Sequence, residues 1–320
     1  VIAVSHLGRP KGKPVKEFRM DNVARHLGDL MRKSVVKMDE CIGSKVQQAT
    51  KAMKPGEIMV LENVRFYPGE EANDPEFSRQ LAELADIYVN DAFGTAHRAH
   101  ASISGVAALL PTYPGFLLEK EVSMLKKVMD KAENPRVAIV GGAKVADKFG
   151  LVNNMLEEMD VIIIGGGMAN TFLKAQGLEI GKSWHENSVL VQARELMEMA
   201  RKRNTKLLLP VDVVVGTHFA EDTEYQVVPV DQVPDDWMIL DIGPQTVSEY
   251  GQYIKEARTV FWNGPMGVYE FEAFSAGTNG IAKAVASSSA VSVVGGGDSL
   301  AAIYHLGLQN SITHISTGGG

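Results

Sequence analysis

Two lysines four residues apart, Lys144 and Lys148, follow directly on a glycine turn at Gly141 and Gly142. On a helix, that spacing puts both ammonium groups on one face. The apolar run 137–140 ahead of the glycines reads as a buried parallel strand. A strand end, a glycine turn and a helix start with two cations make a place for phosphate, because helix N-terminal amides and ammonium groups both favour negative charge. The same residues also fit an ordinary strand-to-helix turn with solvated lysines. Repetition favours phosphate: glycine clusters recur at 165–167, 295–297 and 318–320, each at a strand end. Such clusters leave backbone N–H groups facing one crevice, which suits an extended polyphosphate. Asp298 follows the cluster 295–297 at a helix start. There a carboxylate can hold magnesium on phosphates or cap the helix, and the two roles are compatible.

A second set of candidates is cationic. His6, Arg9, Arg65, His97 and Arg98 each lie just past the end of a strand-like run. Taken singly, each fits a surface charge. Parallel strands would bring their three loops to one side of the sheet. The convergence makes an anion site for a small molecule bearing phosphate or carboxylate.

Both sets need parallel sheets to position them. The first part of the chain reads as strands over 1–5, 35–38, 58–61 and 87–90, with a helix over 20–31 after the first. In that helix Asp21 and Asn22 are start signals, and Val23, Leu27 and Leu30 have core spacing. Further helices are expected over 44–53 and from Asp74-Pro75 to about residue 85, the latter with Phe77, Leu81 and Leu84 inward. Prolines 111 and 114 break the pattern. One long helix over 115–132 follows, with Leu117, Leu118, Val122, Leu125 and Val128 as its apolar stripe. Beyond it strand-like runs recur at 137–140, 161–164, 206–209, 212–215, 239–242, 259–262 and 291–294, with an edge strand at 226–229. Helices are expected over 188–203, from about 246, over 271–286 and after 299. Strand–loop–helix alternation means parallel sheets with helices on both faces and ligands outside the carboxyl ends of the strands. The fold class is therefore α/β: two doubly wound parallel-sheet domains, 1–114 and 133–320, joined by the helix 115–132.

Composition sets limits. The chain has 320 residues, 45% hydrophobic and 22% charged, with a net charge of −7. That balance fits a globular chain and argues against general nucleic-acid binding. Residues 1–114 hold 15 Lys+Arg against 14 Asp+Glu, and the remainder 17 against 25, so the two parts are expected to face different ligands. No apolar run approaches a membrane span, and the single cysteine, Cys41, suits a reducing cytosol. There is no Walker motif, no dinucleotide fingerprint, no Gly-x-Ser-x-Gly and no paired cysteine set. Phosphoryl transfer between ionised oxygens needs positioning, cations and backbone donors, which is the inventory present.

The motifs Ser5-His-Leu-Gly-Arg-Pro10, Glu62-Asn-Val-Arg-Phe66, Asn90-Asp-Ala-Phe-Gly-Thr-Ala-His-Arg-Ala-His100, Gly141-Gly-Ala-Lys-Val-Ala-Asp-Lys148, Trp262-Asn-Gly-Pro-Met-Gly-Val-Tyr-Glu270, Gly295-Gly-Gly-Asp298 and Ser316-Thr-Gly-Gly-Gly320 occur in this order. Together they resemble the phosphoglycerate kinases along the whole chain. The resemblance implies transfer of a phosphoryl group between 1,3-bisphosphoglycerate and ADP, giving 3-phosphoglycerate and ATP. The first domain would hold the glycerate and the second the Mg-nucleotide. It implies 3-phosphoglycerate binding by His6, Leu7, Gly8, Arg9, Arg65, His97 and Arg98. Lys144, Gly297 and Gly319 would act on the phosphoryl group in transfer, with Gly318 and Gly320 as further backbone donors. Lys148, Asn263, Pro265, Gly296, Gly297 and Ser299 would line the nucleotide phosphates. Gly166, Gly167 and Val268 would lie near adenine, Glu270 at the ribose and Asp298 on Mg2+. A cytoplasmic monomer is implied as well. The family pattern also has an Asp-Phe-Asn segment and an arginine in a strand ahead of Val1, and a segment after Gly320. A nucleotide-binding chain without catalysis is the alternative expectation.

Overall fold

The computed structural model describes residues 1–130, 132–316 and 318, with the side chains of 127–130 and 147 left aside. The chain divides into two compact units, Val1–Lys120 and Glu121–Gly320.

In the first unit, β1 (Ile2–Ala3), α1 (Asp21–Met31), β2 (Val35–Lys37), α2 (Ser44–Ala52) and β3 (Ile58–Val60) follow in sequence. The strands form a parallel sheet in the order β1-β3-β2. Alternate residues of β3 and its extension face opposite ways, as strand geometry requires. Met59 and Leu61 join Val46 of α2, whereas Val60 joins Met20 and Ala24 of α1. After β3 come α3 (Pro68–Glu71), α4 (Pro75–Ala82), β4 (Tyr88–Asn90) and β5 (Thr112–Pro114). Asp74 caps α4 by accepting the Phe77 N–H at 2.8 Å, and Phe77, Leu81 and Leu84 are buried as expected. Two expectations fail. The inward face of α1 is Met20, Ala24 and Leu27, while Val23 and Leu30 are exposed. The proline-flanked segment 112–114, read as a break, instead pairs with β4 in a separate two-stranded sheet. Proline is tolerated there because the pair has a free edge.

The unit boundary falls within α5 (Phe116–Asp130), which starts where the Asp91 carboxylate accepts the N–H groups of Leu117 and Leu118 at 2.7 and 3.0 Å. Its expected apolar stripe is only partly realised. Leu117 and Val122 are exposed, Leu118 and Leu125 are half-buried, and Val128 lies outside the described side chains. The buried residue is Glu121, 1% exposed and 2.8 Å from His314 Nε2.

The second unit contains β6 (Arg136–Val140), α6 (Val145–Glu158), β7 (Val161–Ile164), α7 (Gly166–Ala175), α8 (Leu190–Lys202), β8 (Lys206–Leu208), β9 (Asp212–Gly216), β10 (Tyr225–Pro229) and β11 (Met238–Ile242). It continues with α9 (Pro244–Glu256), β12 (Thr259–Asn263), α10 (Ala276–Ser287), β13 (Val291–Gly295), α11 (Gly297–His305) and β14 (His314–Ile315). Six strands make one all-parallel sheet in the order β14-β13-β12-β6-β7-β8. Its two faces are both covered. Val137, Ile139, Val161 and Ile163 pack with Tyr250, Ile254, Ile281 and Ile303 of α9, α10 and α11. Ala138, Val140, Ile162 and Ile164 pack with Val152, Phe172, Ala193 and Leu196 of α6, α7 and α8. This is why the strands read as unbroken apolar runs.

β9, β10 and β11 do not join that sheet. They form an antiparallel one, in the order β10-β9-β11. β10 is an edge strand as expected, but of this smaller sheet.

Candidate functional site

The parallel six-stranded sheet determines the first site. Because the strands share one direction, their carboxyl ends form a single rim. Neighbours β13, β12, β6 and β7 end at Gly295, Asn263, Val140 and Ile164, so their following turns lie side by side. Hydrogen bonds lace these turns together. Gly142 N–H donates to the Pro265 carbonyl at 2.9 Å, Gly166 N–H to the Met266 carbonyl at 2.8 Å, and Met168 N–H to the Gly142 carbonyl at 2.9 Å. Gly166 has φ +61°, and a Cβ there would lie 2.7 Å from the Gly142 nitrogen. Only glycine allows that conformation and that approach.

The two lysines of this rim differ. Lys148 Nζ donates to the Gly141 carbonyl at 2.7 Å and to Asn263 Oδ1 at 2.8 Å. Burial lowers its pKa, and the charge of Asp298 acts in the opposite direction. Lys144 stands at the start of α6, is exposed, and has no hydrogen-bond or ion-pair partner among the described residues. One cation is thus built into the rim and the other is free to meet a ligand.

The remaining rim residues are placed as follows. Asp298 is exposed in the first turn of α11, beside Gly296 and Gly297, and a Cβ on Gly297 would meet nothing within 4 Å. Ser299 is fully buried and its Oγ accepts the Gly264 N–H at 2.7 Å, so its hydroxyl braces the β12 turn. Pro265 is buried, and Val268 is half-buried with its N–H donated to the Leu240 carbonyl at 2.7 Å. Glu270 is exposed at the far end of the same loop. Gly167 abuts the Trp184 ring, at 2.8 Å from the position a Cβ would take. Gly318 donates its N–H to Ser316 Oγ at 3.2 Å, whereas Gly319 and Gly320 lie outside the described residues.

The first unit holds a different kind of site. Arg65 is 6% exposed, donates from Nη1 to the Gly8 carbonyl at 3.0 Å, and has Nε 3.3 Å from Glu71 Oε1. His6 has its pKa lowered, first by burial and then by the charges of Arg65, Arg98 and His100, with Glu71 opposing. Arg65 is itself acted on by Arg98 and Arg9, after burial and Glu71. His6, Arg9, Arg65 and Arg98 therefore stand in one field, although Arg98 follows β4 of the separate two-stranded sheet and so is not brought there by a shared sheet. The Arg98 Nε is buried without a hydrogen-bond acceptor among the described residues, whereas the Arg65 Nε makes no hydrogen bond but already faces the Glu71 carboxylate at 3.3 Å. An orphan donor in a cationic cluster fits an anion. Leu7 is exposed between His6 and Gly8.

His97 is exposed and does not figure in this group, whereas His100 does, 3.7 Å from Glu70. Its signal was its place in the same loop, two residues after Arg98. Sequence reasoning also passed over Asn63 and Glu62, which lie under the cluster. Glu62 is 2% exposed and accepts Lys37 Nζ at 2.6 Å, the Met20 N–H at 2.9 Å and the Asn63 N–H at 2.9 Å.

A model of the phosphoglycerate kinase family matches residues 1–320, the whole chain. The chain belongs to that family. It is 55% identical to the phosphoglycerate kinase of Moorella thermoacetica and 54% identical to that of Pelotomaculum thermopropionicum, each over all of this chain and 81% of the relative. Among solved structures, the phosphoglycerate kinase of Coxiella burnetii is 45% identical with a TM-score of 0.84, over all of this chain and 81% of that one. That of Pyrococcus horikoshii OT3 is 33% identical with a TM-score of 0.80, over 99% of this chain and 81% of that one. As a phosphoglycerate kinase the chain is a phosphotransferase of glycolysis with a carboxyl group as acceptor. A phosphoryl donor and a phosphorylated acceptor both carry anionic groups, which cations and backbone N–H groups suit.

Proposed function

We propose that residues 1–114 take 3-phosphoglycerate or 1,3-bisphosphoglycerate, and that residues 133–320 take ADP or ATP with Mg2+, the segment 115–132 linking them along the chain. The observation that carries this division is the contrast of donors: side-chain cations with an orphan N–H group in the first unit, and a glycine-lined rim in the second. A monophosphorylated three-carbon acid offers two compact anionic ends, which suit forked guanidinium groups. A nucleotide offers a chain of phosphates, which suits successive backbone amides at helix starts.

In this reading His6, Arg9, Arg65 and Arg98 grip the glycerate, with His97 available at the cluster's edge. Lys148, Asn263, Pro265, Gly296, Gly297 and Ser299 shape the phosphate rim. Gly166, Gly167 and Val268 line the base side, and Glu270 reaches the ribose. Lys144 stabilises charge on the phosphoryl group in flight, with backbone N–H groups at Gly297 and Gly319. The described residues contain no group of three or more His, Cys, Asp or Glu side chains that could hold a metal. A lone exposed carboxylate, Asp298, fits Mg2+ that takes its other ligands from phosphate and water. Held by Asp298, Mg2+ would supply positive charge that offsets the charge of the phosphates. No general base is needed, since the attacking oxygen is already ionised.

We place the protein in the cytoplasm as a monomer without nucleic-acid or membrane partners. Cys41 is buried and unpaired, which suits a reducing compartment. The test is a coupled assay of ATP formation from 1,3-bisphosphoglycerate and Mg-ADP, run beside calorimetric titration with Mg-ADP. ATP formation is expected. Binding of Mg-ADP without ATP formation would instead identify a nucleotide-binding chain lacking catalysis.

A further inference from the structure

We propose that Asn63 is the positioning residue of the glycerate site, holding the His6–Arg9 loop in register with Arg65 through its side-chain amide. Asn63 is fully buried, and each polar group of its side chain is engaged. Its Nδ2 donates to the Leu7 carbonyl at 2.8 Å and to the Phe18 carbonyl at 2.9 Å. Its Oδ1 accepts the Arg65 N–H at 3.0 Å. One amide thus ties together three separate segments: the loop that carries His6 and Arg9, the segment that enters α1, and the turn that carries Arg65.

Further contacts join these segments to one another. Arg65 Nη1 donates to the Gly8 carbonyl at 3.0 Å, and the Arg65 carbonyl accepts the Gly12 N–H at 3.2 Å. Gly8 has φ +65°, and a Cβ there would lie 2.6 Å from the Phe18 ring. The His6–Arg9 loop is therefore clasped between Phe18 and Arg65, and Asn63 is the one side chain bonded to both clasps. From below, the Asn63 N–H is fixed by Glu62 at 2.9 Å. The role needs two donors and one acceptor on a short planar group, which only an asparagine side chain supplies at this reach. An aspartate of the same shape keeps the acceptor, loses both donors, and turns an oxygen toward two carbonyls.

This inference rests on the reading of the cluster as the glycerate site, and the experiment separates the two. Steady-state constants for 3-phosphoglycerate and Mg-ATP are measured for the native enzyme, Asn63→Asp, Arg65→Lys and Val46→Ala, well below each melting temperature. Val46 is a buried core residue of the same unit and no part of the site, so Val46→Ala lowers stability alone. For Asn63→Asp we expect a glycerate KM raised about tenfold, with the Mg-ATP KM within twofold of native. The ratio of variant to native glycerate KM should also fall from pH 8 to pH 5.5, because protonation gives the new carboxyl back one donor. A merely structural role moves neither the KM split nor that pH trend. Unchanged glycerate KM in Asn63→Asp, with Arg65→Lys raised, overturns the inference and leaves the site reading standing. Unchanged glycerate KM in Arg65→Lys overturns the site reading itself. If Asn63→Asp does not fold, the neutral Asn63→Ser is measured with the same KM split. Failure of both to fold makes Asn63 a residue of stability only and overturns the proposal.

Discussion

In the proposed reading, the two units meet anions by opposite means. In the first, guanidinium and imidazole groups of His6, Arg9, Arg65 and Arg98 supply the charge, and the His6–Arg9 loop is tied by the Asn63 amide and the Arg65 guanidinium. In the second, the rim is backbone. The turns after β6, β7 and β12 bond to one another through main-chain groups, and its embedded cation, Lys148, serves the rim's own carbonyl and amide oxygens. The difference teaches where sensitivity to mutation will lie. A side-chain site is weakened by replacing one fork, whereas a backbone rim tolerates loss of a side chain unless that side chain faces the ligand directly.

Lys144 is the exception in the second unit, and it gives the largest expected effect. It is exposed and unpartnered among the described residues, so nothing in the fold employs its charge. If it meets the phosphoryl group mainly in transit, its interaction belongs to the transition state. Lys144→Ala is then expected to cut turnover by about 10²-fold or more, the scale for losing one preorganised donor. Both Michaelis constants should change far less. A small, salt-sensitive loss shared with Lys148→Ala would show that Lys144 contributes only a general positive field.

How much of this was legible in the sequence follows the same division. The glycine clusters and the runs before them gave away the rim, because a parallel sheet buried on both faces leaves unbroken apolar strands ending in turns. The antiparallel sheet of β9, β10 and β11 was not legible, since 212–216 is as apolar as a parallel core strand and pairing partners are not written in periodicity. The inward faces of α1 and α5 were misread for a related reason. Small Ala24 and charged Glu121 are the buried residues there, and the branched side chains beside them face out. In the first site the charged residues stood out, but His100 was passed over beside His97 in one loop. Asn63 stood inside the motif Glu62-Asn-Val-Arg-Phe66, but its role was not legible, because it comes from carbonyls 45 and 56 residues away.

The next effect tests the side-chain site. Arg65→Lys keeps the charge but removes the fork and the bond to the Gly8 carbonyl. We expect the 3-phosphoglycerate KM to rise about tenfold, equivalent to about 1.4 kcal/mol, with the nucleotide constant little changed. A smaller effect is expected at the rim. Asp298→Ala should weaken Mg-nucleotide binding about fivefold, on the order of 1 kcal/mol, because the glycine turns and Lys148 still hold the phosphates. Calorimetry should find glycerate binding unaltered. Equal loss of both affinities would break the division between the units.

The smallest effect concerns two buried carboxyl groups that differ as their units do. Glu62 is met by Lys37 Nζ at 2.6 Å and by Arg19 at 3.4 Å, as well as by two backbone N–H groups. Asp241, 1% exposed, accepts the N–H groups of Gly277 at 2.7 Å and Ile242 at 2.9 Å and has no cation beside it among the described residues. Burial pushes its pKa up to about 7, against the pull of those two bonds. A carboxyl whose folded pKa lies above its unfolded value contributes stability below the unfolded pKa, near 4, and loses it as pH rises toward 7. Asp241→Asn mimics the protonated group at every pH and removes that dependence. The melting temperature of Asp241→Asn relative to native should therefore climb from pH 5 to pH 7 and then level. The underlying slope is at most about 1.4 kcal/mol per pH unit for one proton. Glu62→Gln is expected to do the reverse, lowering the melting temperature across this range because Lys37 loses its buried counter-charge. If the Asp241→Asn difference stays flat with pH, Asp241 is ionised in the fold throughout, and the contrast between a paired and an unpaired buried carboxylate fails.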